Sequence, residues 1–131
     1  MATLHKQMTI AARPENVWAV VRDLGALHTR LVPGFVVDTR MEGDDARVVT
    51  FGNGLVAREA ILSCDDERRR LAWNATGTPA THYNAVLEVR PDGERTRVVW
   101  TTDLLPHAMA GQLGEMQDQA LAAMRRALNA Q

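Results

Sequence analysis

Two ionisable side chains, Arg58 and Glu59, stand side by side in the otherwise mostly apolar run LVAREAILSC at residues 55–64. The run reads as a β-strand, and successive side chains of a strand point to opposite faces. If one face is core, one of the two charges points into it, and alternation alone leaves open which. Tyr83, the only tyrosine of the chain, falls on the face shared by Ala85, Leu87 and Val89, where its hydroxyl needs a partner. Such a phenol can bond a ligand oxygen, donate a proton, or bond to protein or water.

Other site chemistries find little support. His5, His28, His82 and His107 are scattered, without the companion at i+3 or i+4 that a metal site on one helix requires, so no metal site is expected. Ser63 and Cys64 lack a Ser-His or Gly-x-Ser-x-Gly setting, which argues against nucleophilic hydrolysis. The GNGL at residues 52–55 is a turn between strands, not the strand-to-helix junction of a phosphate loop, and no cofactor is expected. Cys64 is the single cysteine, which excludes an internal disulfide and a CxxC site and fits a reducing cytoplasm.

The chain that must position these groups has 131 residues, which fits one domain over 1–131 with one core. Its 46% hydrophobic and 24% charged content is that of an ordinary folded protein. Fifteen basic against sixteen acidic residues give a formal charge of -1 with no basic tract, so nucleic acid is not an expected partner. The densest cationic run, Arg68, Arg69 and Arg70, follows Asp65, Asp66 and Glu67 and reads as a solvated charged turn. The N-terminus lacks an apolar signal core, and no apolar run approaches the ~18 residues of a membrane span. A cytoplasmic protein without membrane insertion is expected, and a homodimer stays open.

Residues 4–12 suggest a first strand, and Pro14 suits the first turn of a helix over 15–23 with Val17, Val20, Val21 and Leu24 on its buried side. Residues 25–34 suggest a second short helix or turn ended by Pro33 and Gly34. The period then changes to two. Phe35, Val37, Thr39 and Met41 share one face of the next strand, and turn clusters separate further strands, of which residues 81–106 form the clearest hairpin around PDGE. On its return, Val98, Trp100, Thr102 and Leu104 oppose Arg97, Val99, Thr101 and Asp103. Residues 106–131 repeat apolar side chains at helical spacing, including Met109, Leu113, Met116, Ala120 and Met124. A sheet of about seven antiparallel strands with one apolar face needs a cover, and this last helix is the only long amphipathic element available. The expected class is α+β: a curved sheet gripping a helix.

That order, with ARPENVWAVVRDLGAL, GLVAREAILSCDDERRRLAWNATG and HYNAVLEVRPDGERTRVVWTTDLLP, resembles the SRPBCC superfamily, and within it the bacterial polyketide cyclase/dehydrase-like and lipid-transport group. The stretch EAILSCDDERRRLAWNATG followed by HYNAV is also similar to the matching segment of plant abscisic-acid receptors. The resemblance covers nearly the whole chain and implies the helix-grip, START-like fold of the birch-pollen allergen, with a deep cavity between sheet and C-terminal helix that takes lipids, hormones, flavonoids or polyketides. It is specific for fold and weak for activity.

The receptor match places Glu59 on a cavity Glu, Trp73 on a cavity Phe and Tyr83 on a cavity Tyr. It thereby selects Glu59 as inward, with Ala57, Ile61 and Ser63, and Arg58 as outward. The receptors' cavity Lys falls on Leu31, so the cation beside Glu59 is expected to be missing and recognition of a carboxylate hormone is not expected. Leu31 also replaces a Trp common among bacterial relatives, which would reshape the cavity mouth. A carboxylate so buried must be hydrogen-bonded, hydrated or protonated.

The expected ligand contacts are Glu59, Tyr83, Trp73, Trp100, Leu31, Thr39, Met109, Leu113 and Met116, with His28 and Arg30 near the entrance and Trp18 packed on the sheet. The leading expectation is binding or transport of a small hydrophobic molecule of lipid, polyketide or aromatic type. The alternative is a cofactor-independent cyclase, aromatase or dehydratase in which Glu59 moves a proton and Tyr83 stabilises an oxyanion. A third is a protein-interaction module with a filled core and no ligand.

Overall fold

The computed structural model describes residues 1–129; residues 130–131, the end of the expected last helix, lie outside the described residues. The elements are β1 (Ala2–Ile10), α1 (Pro14–Val21), a 3-10 turn (Leu24–Ala26), a π-helical turn (Leu27–Leu31), β2 (Val36–Glu42), β3 (Ala46–Phe51), β4 (Val56–Asp65), β5 (Arg70–Thr76), β6 (His82–Asp92), β7 (Arg95–Leu105), a 3-10 turn (His107–Met109) and α2 (Ala110–Leu128). The strands form one seven-stranded sheet in the order β1-β7-β6-β5-β4-β3-β2, antiparallel throughout. This is the α+β helix-grip architecture that the element order implies.

Pro14 occupies the start of α1, where its missing N–H costs nothing, and Val17, Trp18, Val20 and Val21 are buried. The helix stops at Val21, short of Asp23, because the Asp23 N–H bonds the Val20 carbonyl in a tighter turn. Trp18 is buried in the main core cluster. Its indole donates to Asp66 Oδ1 at 2.8 Å, and Arg22 Nε donates to the same oxygen at 2.7 Å, tying α1 to the turn between β4 and β5. These two donors hold the Asp66 carboxyl below its ordinary range, the Arg22 bond being the larger cause.

Along β7 alternation puts Val98, Trp100, Thr102 and Leu104 in the core, although Val99 on the opposite face is buried too. Alternation fails at two bulges. The register shifts between Val36 and Asp38, so Val36 is buried and Val37 stands 53% exposed, outside the face on which alternation placed it. A second shift between Ile61 and Ser63 leaves Leu62 55% exposed and puts Ser63 opposite Ala72, exposed, where alternation had placed it inward. Both corrections have one cause: one extra residue inverts the faces beyond it.

α2 crosses the concave face with Leu113, Ala120, Ala123, Met124 and Leu128 buried against the core, and one polar side chain, Gln117, is buried among them. Ile10, Leu71, Leu104 and Leu128 are completely enclosed, at roughly 1.5–3 kcal/mol of hydrophobic stabilisation each. Among the described residues no helix is long and apolar enough to cross a membrane.

Candidate functional site

Between the sheet and α2 a cavity of about 100 Å³ remains, its wall mostly apolar. β4 supplies Ala57 and Glu59, β5 Leu71 and Trp73, β6 Tyr83 and Leu87, β7 Trp100, and α2 Leu113, Met116 and Gln117. Leu27 and Leu31 of the π-helical turn close one side. A surface groove of about 250 Å³ lies outside and shares Phe35, Phe51 and Met116 with the cavity. The two phenyl rings meet edge to face, with centroids 5.5 Å apart and an interplanar angle of 78°.

Glu59 faces this cavity and is only 8% exposed, whereas Arg58 points outward and pairs with Glu42 at 2.8 Å. The expected missing cation is corrected here. Arg47, opposite Glu59 in the β3–β4 register and 3% exposed, donates its Nε to Glu59 Oε1 at 2.8 Å. Its Nη1 donates to the Leu24 carbonyl at 3.1 Å, so the same guanidinium also fixes the 3-10 turn against the sheet. The charges of Arg47 and Glu59 cancel, and the pair adds no net charge to the cavity. The signal for Arg47 lay in ARVVTF, where alternation puts it on the face of Val49 and Phe51.

Tyr83 lines the cavity and accepts a hydrogen bond from Gln117 Nε2 at 3.1 Å; the same nitrogen donates to Thr102 Oγ1 at 2.9 Å. Burial pushes the phenol up to about 12; the Gln117 bond opposes this and the Glu59 charge adds to it. The ring as a whole is half-buried, and its hydroxyl end is the enclosed part. Tyr83 therefore stays a neutral phenol at ordinary pH, its oxygen also interacting with the Thr102 hydroxyl. Gln117 was not anticipated, although the helical phase of Leu113, Ala120 and Met124 places position 117 among them.

Of the other anticipated contacts, Trp73, Trp100, Leu113, Met116 and Leu31 line the cavity, with the two indoles 6.2 Å apart. Met109 and Thr39 do not. Met109 ends the turn before α2 and packs in a separate cluster with Ala2, Leu104 and Leu113; Thr39 sits on the edge strand β2, opposite Val49. His28 and Arg30 lie on the π-helical turn without lining the cavity, and Arg30 pairs with Asp23 at 2.8 Å. No cluster of three or more metal-ligating side chains occurs among the described residues.

Solved structures with this architecture include the protein XoxI from Bacillus cereus, at TM-score 0.86 and 20% identity over 98% of this chain and 96% of that one. A START superfamily protein from Mycobacterium smegmatis matches at TM-score 0.80 and 16% identity over 98% and 97% of the two chains. The Zhui aromatase/cyclase from Streptomyces sp. R1128 matches at 0.74 and 19% identity over 98% and 92%. At these identities the likeness shows the fold. No curated protein matches the chain. A sheet closed by a C-terminal helix is thus the fold shared with these structures, and the sequence itself goes further: residues 1–130 match the family described as polyketide cyclase / dehydrase and lipid transport, within the SRPBCC superfamily, and the chain belongs to it.

Proposed function

We propose that the chain binds a small, mostly apolar molecule between the sheet and α2, with Glu59 and Tyr83 as polar contacts. The observation that carries this reading is a mostly apolar cavity holding a compensated ion pair and one neutral phenol, since an apolar concave wall with a few placed polar groups is how proteins bind such ligands. Its volume of about 100 Å³ lies nearer the ~150 Å³ of an apolar cavity that takes benzene than the roughly 300–1,000 Å³ of drug-sized sites. A single ring fits that scale; a larger ligand requires Met116 and the Phe35–Phe51 wall to move. The free thiol of Cys64 is exposed, which supports a reducing, cytoplasmic setting.

A second reading is favoured by the Tyr83 phenol. Held neutral, it can donate to an oxyanion on a bound carbonyl while Glu59 moves a proton, which is the chemistry of a cofactor-independent cyclase or dehydratase. The aromatase/cyclase neighbour supports that class.

Native mass spectrometry of freshly purified protein tests both. The expected result is a noncovalent small-molecule adduct that Ala120→Leu, which adds bulk to the wall, displaces. Wild-type protein that carries no adduct and gains none from a cell extract would overturn the binding reading. Conversion of the released molecule by wild-type protein but not by Glu59→Gln supports the enzyme; conversion unaffected by that change removes Glu59 from the chemistry.

A further inference from the structure

Two polar atoms belonging to residues of the cavity wall are buried and have no partner: the amide oxygen Oε1 of Gln117 and the indole Nε1–H of Trp100. Gln117 is 3% exposed, and its amide nitrogen is already spent on the hydroxyls of Tyr83 and Thr102. Native interiors meet nearly all their buried hydrogen-bonding groups, so an unmet acceptor and an unmet donor in one wall call for something that supplies both. The two residues belong to one patch. Trp100 and Thr102 are two apart on β7, hence on one face, and Gln117 reaches across from α2 to Thr102.

A hydroxyl group is the simplest complement, because its proton satisfies an acceptor while its oxygen satisfies a donor. The remaining constraints come from the rest of the wall. Its volume of about 100 Å³ restricts the ligand to about one ring. The Arg47–Glu59 pair is internally compensated, so no net charge is left over to hold an anion. We infer that the cavity takes an uncharged single-ring hydroxyl compound of the phenol class, whose O–H donates to Gln117 Oε1 and whose oxygen accepts from Trp100 Nε1. This rests on the ligand-binding reading above and adds the chemical class and the two residues that select it.

The test is a titration of the ¹⁵N-labelled chain with four probes of similar size, followed by NMR: toluene, which has no polar atom; anisole, which accepts but cannot donate; phenol; and benzoate. Phenol is expected to bind about tenfold more tightly than toluene or anisole, the factor that one extra hydrogen-bonding group confers. Benzoate should bind least. Gln117→Leu should weaken phenol far more than toluene, so that the advantage of phenol is lost, and Trp100→Phe, which keeps a ring in the wall, should reduce it. If Gln117→Leu fails to fold, Trp100→Phe carries the comparison. Toluene binding as tightly as phenol would overturn the hydroxyl inference, a buried water meeting the two atoms instead, and would leave the apolar-cavity reading intact. Phenol preference that survives both substitutions would overturn the assignment to these residues. No shift with any probe would overturn the cavity-binding reading on which the inference stands.

Discussion

Because Tyr83 is the only tyrosine, its ionisation can be followed alone by the near-ultraviolet band of tyrosinate. Burial raises this phenol to about 12, against about 10 in an unfolded chain. Between those values the native state holds a proton that the unfolded state has lost, so this group's contribution to stability is complete below about pH 10 and falls as pH rises toward about 12. A spectrophotometric titration should therefore give a midpoint near about 12 in native protein and near about 10 in denaturant, and Glu59→Gln should lower the native value by removing a nearby negative charge. A native midpoint near the unfolded value would mean that water reaches the hydroxyl. Tyr83 could be found from sequence because its strand alternates cleanly. Arg47 and Gln117 could not be found by residue type, since an arginine in a strand and a glutamine on a helix are ordinarily surface residues. Only their phase marked them, and phase competes with that expectation.

At the level of elements, the Arg47–Glu59 pair joins β3 to β4 and, through the Leu24 carbonyl, holds the turn that precedes the cavity wall. Removing one partner leaves the other charge enclosed, whereas removing both leaves only apolar surface, and breaking a buried pair typically costs about 3–5 kcal/mol. Arg47→Met and Glu59→Leu should each destabilise strongly in denaturant melts. The double variant should lose less than the sum of the two, a coupling of at least about 1 kcal/mol in a double-mutant cycle. Additive losses would show that the two charges act independently, for instance because cavity water solvates each. The strands themselves were legible, since period two and turn clusters marked every hairpin. The bulges at Val37 and Leu62 were not: an extra residue in one strand is defined by its pairing partner, which local alternation does not contain. Ser63 and Val37 were misplaced for that reason, while Glu59, on the near side of its bulge, was not.

On the scale of the whole molecule, the two faces of the cavity are held very differently. Its sheet wall is held by antiparallel ladders, the longest running without a break from His82–Leu105 to Asp92–Arg95. Its helical wall, α2, comes nearest to the rest of the fold at β1, at the π-helical turn and at the turn that leads into it. Over the middle of the sheet α2 faces a void, and side chains lining a void lose packing partners on that side. The least costly opening is thus movement of α2 and the Leu27–Leu31 turn away from an intact sheet, and under the binding proposal it is the entrance to test. Native-state hydrogen exchange should show α2 amides over residues 113–124 opening at lower free energy than the β6–β7 hairpin. Saturating phenol should slow those α2 amides, because a bound molecule must leave before the wall can open, in the proportion set by its concentration over its dissociation constant. Slowing in the hairpin with no change in α2 would contradict this path and move the entrance to the Phe35–Phe51 side, where the outer groove meets the cavity. Either outcome distinguishes a helix that hinges over a fixed sheet from a rigid shell with a side door.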